Sequence, residues 1–378
     1  MASTYTHAKE GKRNSSIELL RILSMFVILA HHFAVHNAFD YTLMDAGPSR
    51  LFVQLFLESG GKIGVIVFFT ITAWFFLEKK QTLMGSFRKI MMLEKEVLFY
   101  SVVLSLLFYF VGYPGFGLAD LAKGFFPLIF TIWWYPTAYA LFLLFLPFLT
   151  EGLKALSRIS HLSLCLILLL LYGILSMVPG VTWAYDVYSF VYLFILIAAY
   201  RWYYEGKNDF QPWALIASGL AMLLVFSIAA MVAFQLFGKQ VGTPHGWSIS
   251  NFESLPELLV GFGLFLLFNR CSFHCRLINE IAGGAFAVYL ITDFYYMRSV
   301  LWGGCLDLQT LSLEPFGYLF SFAALIVIYL ACIFTDIVRK KLFSCTFDPV
   351  WNRLVDFTLF RLSALRDRLI GQPDGSHE

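Results

Sequence analysis

The sequence predicts an all-α integral membrane protein, a bundle of about ten transmembrane helices with both termini cytoplasmic. Three observations carry that expectation. Of 378 residues, 59% are hydrophobic and 14% charged, with a mean hydropathy of +0.72, a composition too apolar for a water-soluble globule of this length. Apolar runs long enough to cross hydrocarbon recur along the chain, and the basic residues between them alternate from loop to loop. The 41 Phe, 19 Tyr and 9 Trp suit lipid-facing surfaces and interfacial belts, where a ring sits between hydrocarbon and headgroup.

A helix needs roughly twenty apolar residues to cross a bilayer. Suitable runs lie near 17–38, 55–77, 92–112, 127–149, 162–179, 186–203, 213–236, 255–268, 280–297 and 316–337. The eighth is the weakest, because Pro256 and Glu257 open it and its apolar part is short. Charge gives an independent reading of orientation. Lys9, Lys12 and Arg13, then Lys79, Lys80, Arg88 and Lys89, Lys154 and Arg158, Arg201 and Lys207, Arg270 and Arg276, and Arg339 to Lys341 fall on alternate connections. The opposite loops hold little beyond Arg50, Lys123, Lys239 and Arg298. An even span count with both ends cytoplasmic follows.

Three regions result: a disordered cytoplasmic N-terminus at 1–15, a ten-helix membrane domain at 16–343, and a cytoplasmic helix and tail at 344–378. Within the last, 347–370 alternates apolar with Arg and Asp residues at helical spacing, which suits a helix lying on the cytoplasmic leaflet or an ordinary surface helix. The first run contains Arg21 and no small-residue cleavage pattern follows it, so it is expected to remain as an anchor. The six scattered cysteines suggest no disulfide framework. Cys271 and Cys275 bracket His274, but a closed metal site needs about four ligands and no others lie nearby, so no metal is expected. No nucleotide loop, repeat or separate soluble catalytic domain is present, and nucleic acid is not an expected partner. Any chemistry must occur in the bundle.

An ionisable residue within a span costs on the order of 2.5–3.5 kcal/mol on insertion scales, so each asks for a reason. In SIELLRILSMFVILAHHF, Arg21 and His32 are eleven residues apart, close to three full turns. The two side chains therefore share a helix face about 16 Å apart, with His31 directed away and His36 one turn further on. Arg21 could be a snorkelling anchor and His32 a histidine satisfied by a carbonyl. As a pair they suit an elongated anionic donor, with its phosphates on the cation and the imidazole working deeper.

These residues resemble the opening signature of acyltransferase family 3, integral-membrane acyltransferases that modify surface polysaccharides and related glycans. The resemblance continues in GVIVFFTITAWFF (64–76), WWYPTAYALFLLFLPFL (133–149), INEIAGGAFAVYLITD (278–293) and DIVRKKLF (336–343), in family order over most of 15–343. Thr72-Ala73 stand where the family often has Ser-Gly, Thr292-Asp293 where a His or His-Glu is common, and Pro136 is expected to kink the fourth span. Arg88 and Lys89 match a basic cluster after the second span only in part.

The resemblance implies an acyl-CoA donor, acetyl-CoA above all, arriving from the cytoplasm, with no permanently bound cofactor. The acceptor is a hydroxyl of a surface or lipid-linked glycan in the cell membrane. His32 acts as general base in preference to carrying the acyl group itself, and Arg21, Arg88 and Lys89 hold the donor. Asp293 or Glu58 orients the imidazole, and Trp134 and Tyr139 line a substrate channel or serve packing. The sequence ends without the hydrolase-like domain fused to some relatives, so either the acceptor is acylated directly or a separate extracytoplasmic protein completes transfer. The competing expectation is an exporter of polysaccharide intermediates, but no internal symmetry relates the two halves. A receptor or scaffold would have no use for His32.

Overall fold

The protein is described by a computed structural model over residues 13–37, 44–45, 47–178, 187–207, 209–237, 253–306 and 316–370. Among these residues the secondary structure is helical and no strand occurs. The expected disordered tails lie outside the described residues except for 13–15, as do Lys9, Lys12 and Lys239. In chain order the helices are α1 (Ser15–Val35), α2 (Pro48–Phe76), α3 (Leu83–Val111), α4 (Leu118–Gly124), α5 (Trp134–Ala155) and α6 (Arg158–Met177). There follow α7 (Val187–Tyr203), α8 (Pro212–Phe237), α9 (Leu255–Asn269), α10 (Arg276–Thr292), α11 (Tyr295–Cys305), α12 (Gly317–Cys345) and α13 (Phe347–Ile370).

Six of these, α1, α2, α5, α6, α8 and α12, are long and apolar enough to cross a membrane, and α10 with α11 makes a seventh if that bent pair is one span. The apolar helices α7 and α9 are shorter, as the weak eighth run foretold for α9. The run expected at 280–297 is not one rod: α10 and α11 meet at an angle of 80° around Asp293. Hydropathy could not show this, because both pieces are apolar and no proline marks the join. Pro136 does not kink α5 either. It is the third residue of that helix, where its missing N–H removes no intrahelical bond, whereas Pro147 lies inside.

The chain divides into two compact units. The first comprises Met1–Glu78 and Leu156–Ile333. Its centre is α1 packed on α2, with α9 lying against both α2 and α8 and α10 against α1. Small residues permit these approaches, as expected where apolar lipid gives no hydrophobic drive to helix pairing and close packing must supply it. A Cβ added to Gly64 would stand 2.6 Å from the carbonyl oxygen of Ser24, and one at Gly219 would stand 2.6 Å from that of Pro256. Backbone oxygens cannot turn aside. Gly64→Val is therefore expected to force α1 from α2 at a cost of about 1–3 kcal/mol, read as a lowered Tm in detergent; an unchanged Tm would contradict the close crossing.

The N-terminus of α1 is latched. The Asn14 side chain caps the helix by accepting from the Ser16 amide and donates to the Cys271 carbonyl. Ser16 Oγ donates to Phe268 O at 2.8 Å, and Ser15 Oγ accepts from the Cys275 amide at 2.8 Å. The Cys271–Cys275 segment thus serves as a partner for α1, and no metal-spaced group among the described residues includes it.

The second unit comprises Lys79–Ala155 and Phe334–Glu378. Here α3 packs on α4, α5 and α13. Its interior polar staple is Asp336, fully buried, which accepts from Tyr100 Oη at 2.9 Å and Arg339 Nε at 2.8 Å. Arg339 in turn lies 3.1 Å from Glu96, and Lys340 2.7 Å from the other Asp336 oxygen. Pairing of this kind is what lets ionised groups stay in a dry interior. The helix at 347–370 docks one face on α3: Trp351 and Val355 are buried, Trp351 Nε1 donates to Met91 O, and Lys95 pairs with Asp348 at 2.8 Å.

Candidate active site

The site is built where α1 meets the break between α10 and α11. Ending α10 at Thr292 leaves Asp293 as its C-cap, with its amide donating to Tyr289 O at 2.9 Å and its side chain released from helical direction. The carboxylate is 1% exposed and turns to α1. Asp293 Oδ1 lies 3.5 Å from His32 Nδ1 and 3.3 Å from His36 Nε2. Arg298, from the first turns of α11, reaches back so that Nε donates to the same oxygen at 2.8 Å and to the Asp293 carbonyl at 3.0 Å. That carbonyl is one left without an intrahelical donor by the break, so one guanidinium both caps α10 and holds the carboxylate.

This arrangement bears on what His32 can do chemically. Asp293 Oδ1 lies on the Nδ1 side at 3.5 Å, an electrostatic contact without a hydrogen bond to Nδ1, and a proton carried there would leave Nε2 its lone pair. The ring is 8% exposed and lies beside Tyr289, with centroids 5.9 Å apart. An imidazole so held can take a proton from a hydroxyl and be stabilised as imidazolium by the charge behind it. His31 is turned away, as its position one residue earlier requires, and its Nδ1 meets Leu57 O at 3.2 Å.

The ligand atoms of His32, His36 and Asp293 all lie within 4.8 Å of one another, a spacing three ligands of one cation could adopt. Arg298 weighs against that use, because its positive charge already rests on the Asp293 oxygen that both histidines face. Ion pairing and proton transfer suit the group better than metal binding.

The other candidates are distributed. Arg21 lies on α1, partly exposed, 3.5 Å from Glu18 and 5.9 Å from the Phe68 ring centroid. Glu58 ends a π-helical stretch, Val53–Glu58, inside α2. It shares the field of Lys62 with the buried Glu253 and Glu257, while the strongest charged neighbours of His32 are Asp293, His36, Arg298 and Lys62. Of the two carboxylates considered from the sequence, the structure brings Asp293 to His32. Arg88, Lys89, Trp134 and Tyr139 belong to the second unit. Arg88 pairs with Asp356 at 3.2 Å and Lys89 donates to Gln81 at 2.9 Å, while Trp134 and Tyr139 flank Tyr135 in a run of rings along α5. The residues sequence reasoning did not place at the site are His36 and Arg298. His36 was legible, one turn beyond His32 on the same face; Arg298 was not, because its reach depends on the break.

Compared with known families, the chain matches the family model described as an acyltransferase domain over residues 14–330. Neither the curated proteins nor the solved structures gave a match.

Proposed function

The chain belongs to acyltransferase family 3, and from that premise we propose that it moves an acyl group, acetyl foremost, from acyl-CoA to a hydroxyl of a surface or lipid-linked glycan. The observation that carries this reading is the buried His32–Asp293 pair, whose histidine stands on the same helix as Arg21. In the reaction, His32 Nε2 takes the acceptor hydroxyl proton as the oxygen attacks the thioester carbonyl. The C–S bond breaks, coenzyme A leaves as thiolate, and the proton on the imidazolium passes to it, so no cofactor is consumed. Asp293 is the positioning residue that sets the ring's tautomer, with His36 and Arg298 steadying the carboxylate. Arg21 holds donor phosphates by charge-assisted hydrogen bonds.

The wider reading has ten spans: the six long apolar helices, the α10–α11 pair, the shorter α7 and α9, and α3 with its charged first turns. Both termini then face the cytoplasm of a cell membrane, in line with the loop charges, and α13 lies on that side. Donor contacts from Arg88 and Lys89 and a channel along Trp134 and Tyr139 belong to the same reading, as does a separate extracytoplasmic protein that would finish transfer if the acceptor is not acylated directly.

The test is transfer of radiolabelled acetyl from acetyl-CoA to glycan extracts by protein in liposomes. Arg21→Ala is expected to raise the donor KM by about 10- to 100-fold, the worth of one or two hydrogen bonds to a charged group, with kcat recovered at high donor concentration. Unchanged KM would remove Arg21 from donor binding, and full transfer by His32→Ala would bring the exporter reading forward.

A further inference from the structure

Away from His32, the first unit holds a cavity of about 380 Å³ between α6, α7, α8 and α9. That is within the range of roughly 300–1,000 Å³ typical of small-molecule sites. Leu162, Leu166, Leu196 and Leu258 are among the apolar side chains that line it, and among the described lining residues only Tyr200, Tyr204 and Cys165 carry a polar side-chain group. Leu166 is 70% exposed, so this wall opens sideways from the protein, where surrounding hydrocarbon would lie.

One end of the cavity is different in kind. Tyr204 and Phe210 line it there, their rings 5.4 Å apart, and each is held by an arginine. Arg158 lies 5.8 Å over the Tyr204 ring centroid, and Arg270 donates to Phe210 O at 2.9 Å. Both arginines are exposed, and neither has a carboxylate partner among the described residues. The local acids are otherwise engaged: Glu205 and Glu78 pair with Arg201, and Asp209 accepts from Tyr200 Oη and the Gly206 amide. Arg158 is also the first residue of α6, and Phe210 stands two residues before the start of α8, so the positive ends of two helices add to the arginines.

We propose that this cavity is a binding site for an anionic membrane phospholipid, with a hydrocarbon chain filling the leucine-lined interior and the phosphate resting on Arg158 and Arg270. A molecule apolar along its length and negative at one end is what the two halves of the cavity complement. A membrane lipid is favoured over a long-chain acyl-CoA because the opening faces sideways past Leu166 and nothing along the interior would engage a thioester. The proposal is independent of the acyl-transfer reading, since no residue of the cavity belongs to the His32 site.

Native mass spectrometry of the full chain titrated with dioleoyl phosphatidylglycerol or dioleoyl phosphatidylcholine tests it. Wild type is expected to retain phosphatidylglycerol in preference to phosphatidylcholine. Arg158→Gln with Arg270→Gln is expected to weaken phosphatidylglycerol binding about 30-fold, two basic contacts' worth, and leave phosphatidylcholine little changed. Leu258→Trp, which fills the interior, is expected to lose both lipids; if it fails to fold, the exposed arginine pair still carries the test. Equal retention of phosphatidylglycerol by wild type and the double glutamine variant overturns the proposal. So does displacement of bound lipid by palmitoyl-CoA at lower concentration than by phosphatidylglycerol itself, which would give the cavity to the donor.

Discussion

Asp293→Asn is expected to lower kcat for acyl transfer by about 10²–10⁴-fold, His32→Ala by a similar factor, and the two together by little more than either alone. The reason is geometric. Asparagine keeps the shape of the side chain but can no longer both accept from Nδ1 and offset an imidazolium, and its amide group can present a donor where an acceptor is needed. The ring then loses the tautomer that leaves Nε2 free. Groups that act as one unit do not add their losses, so the double variant distinguishes a working pair from two residues that merely matter. Donor KM should hold in both single variants, because neither side chain is asked to bind coenzyme A. Strictly multiplicative losses in the double variant would refute the coupling. Arg298→Lys supplies a contrast: the charge stays, while the Nε–H shared between an Asp293 side-chain oxygen and the Asp293 carbonyl is lost.

The second large effect concerns stability. Lys62→Met is expected to destabilise the protein by about 3 kcal/mol, the lower end for breaking a buried ion group because Lys62 keeps some solvent access. Lys62 is the cation facing Glu58, Glu253 and Glu257. Glu257 is fully buried with both carboxylate oxygens lacking a hydrogen-bond partner among the described residues, so it depends on that field. Removing the lysine leaves three acids together in the interior, whereas removing one acid as well relieves them. Tm in detergent, followed by tryptophan fluorescence, should fall by roughly 4 °C in Lys62→Met and recover at least half of that in Lys62→Met with Glu257→Gln. No recovery would mean that the methionine harms packing and that the acids do not rely on Lys62.

Much of this architecture is legible before any coordinates. Apolar runs locate the helices because hydrophobic length is a requirement of the bilayer, and the resemblance in SIELLRILSMFVILAHHF led to the family that residues 14–330 match. The pairing of His32 with a carboxylate could be expected from chemistry, but the choice between Glu58 and Asp293 could not. Both sit near the ends of apolar runs, and only the bend at Asp293 and the Lys62 cluster around Glu58 separate them. The six long helices fall short of the expected span count for a related reason: α3 is 29 residues long yet carries Lys89 and Glu94 besides Arg88, Lys95 and Glu96, whose partners Asp356, Asp348 and Arg339 lie far along the chain. Windowed hydropathy sees the charges and not the partners. The same blindness hid the latch made by Cys271–Cys275, whose backbone carbonyls and amide carry the contact, which no side-chain pattern announces.

The corner at Asp293 also sets which insertions the chain can absorb. In an unbroken helix, one added residue turns everything beyond it by about 100° and would swing a carboxylate off its histidine. Here that penalty applies upstream, within α10, where phase dictates the direction in which the chain reaches the corner. Past Arg298 the chain is tied again to α1 and its exit, because Trp302 is fully buried with its ring 5.9 Å from that of Phe33 and Asn37 donates to Leu306 O at 2.7 Å. Length variation among descendants of this sequence should therefore avoid both sides of the corner, from α10 as far as Leu306.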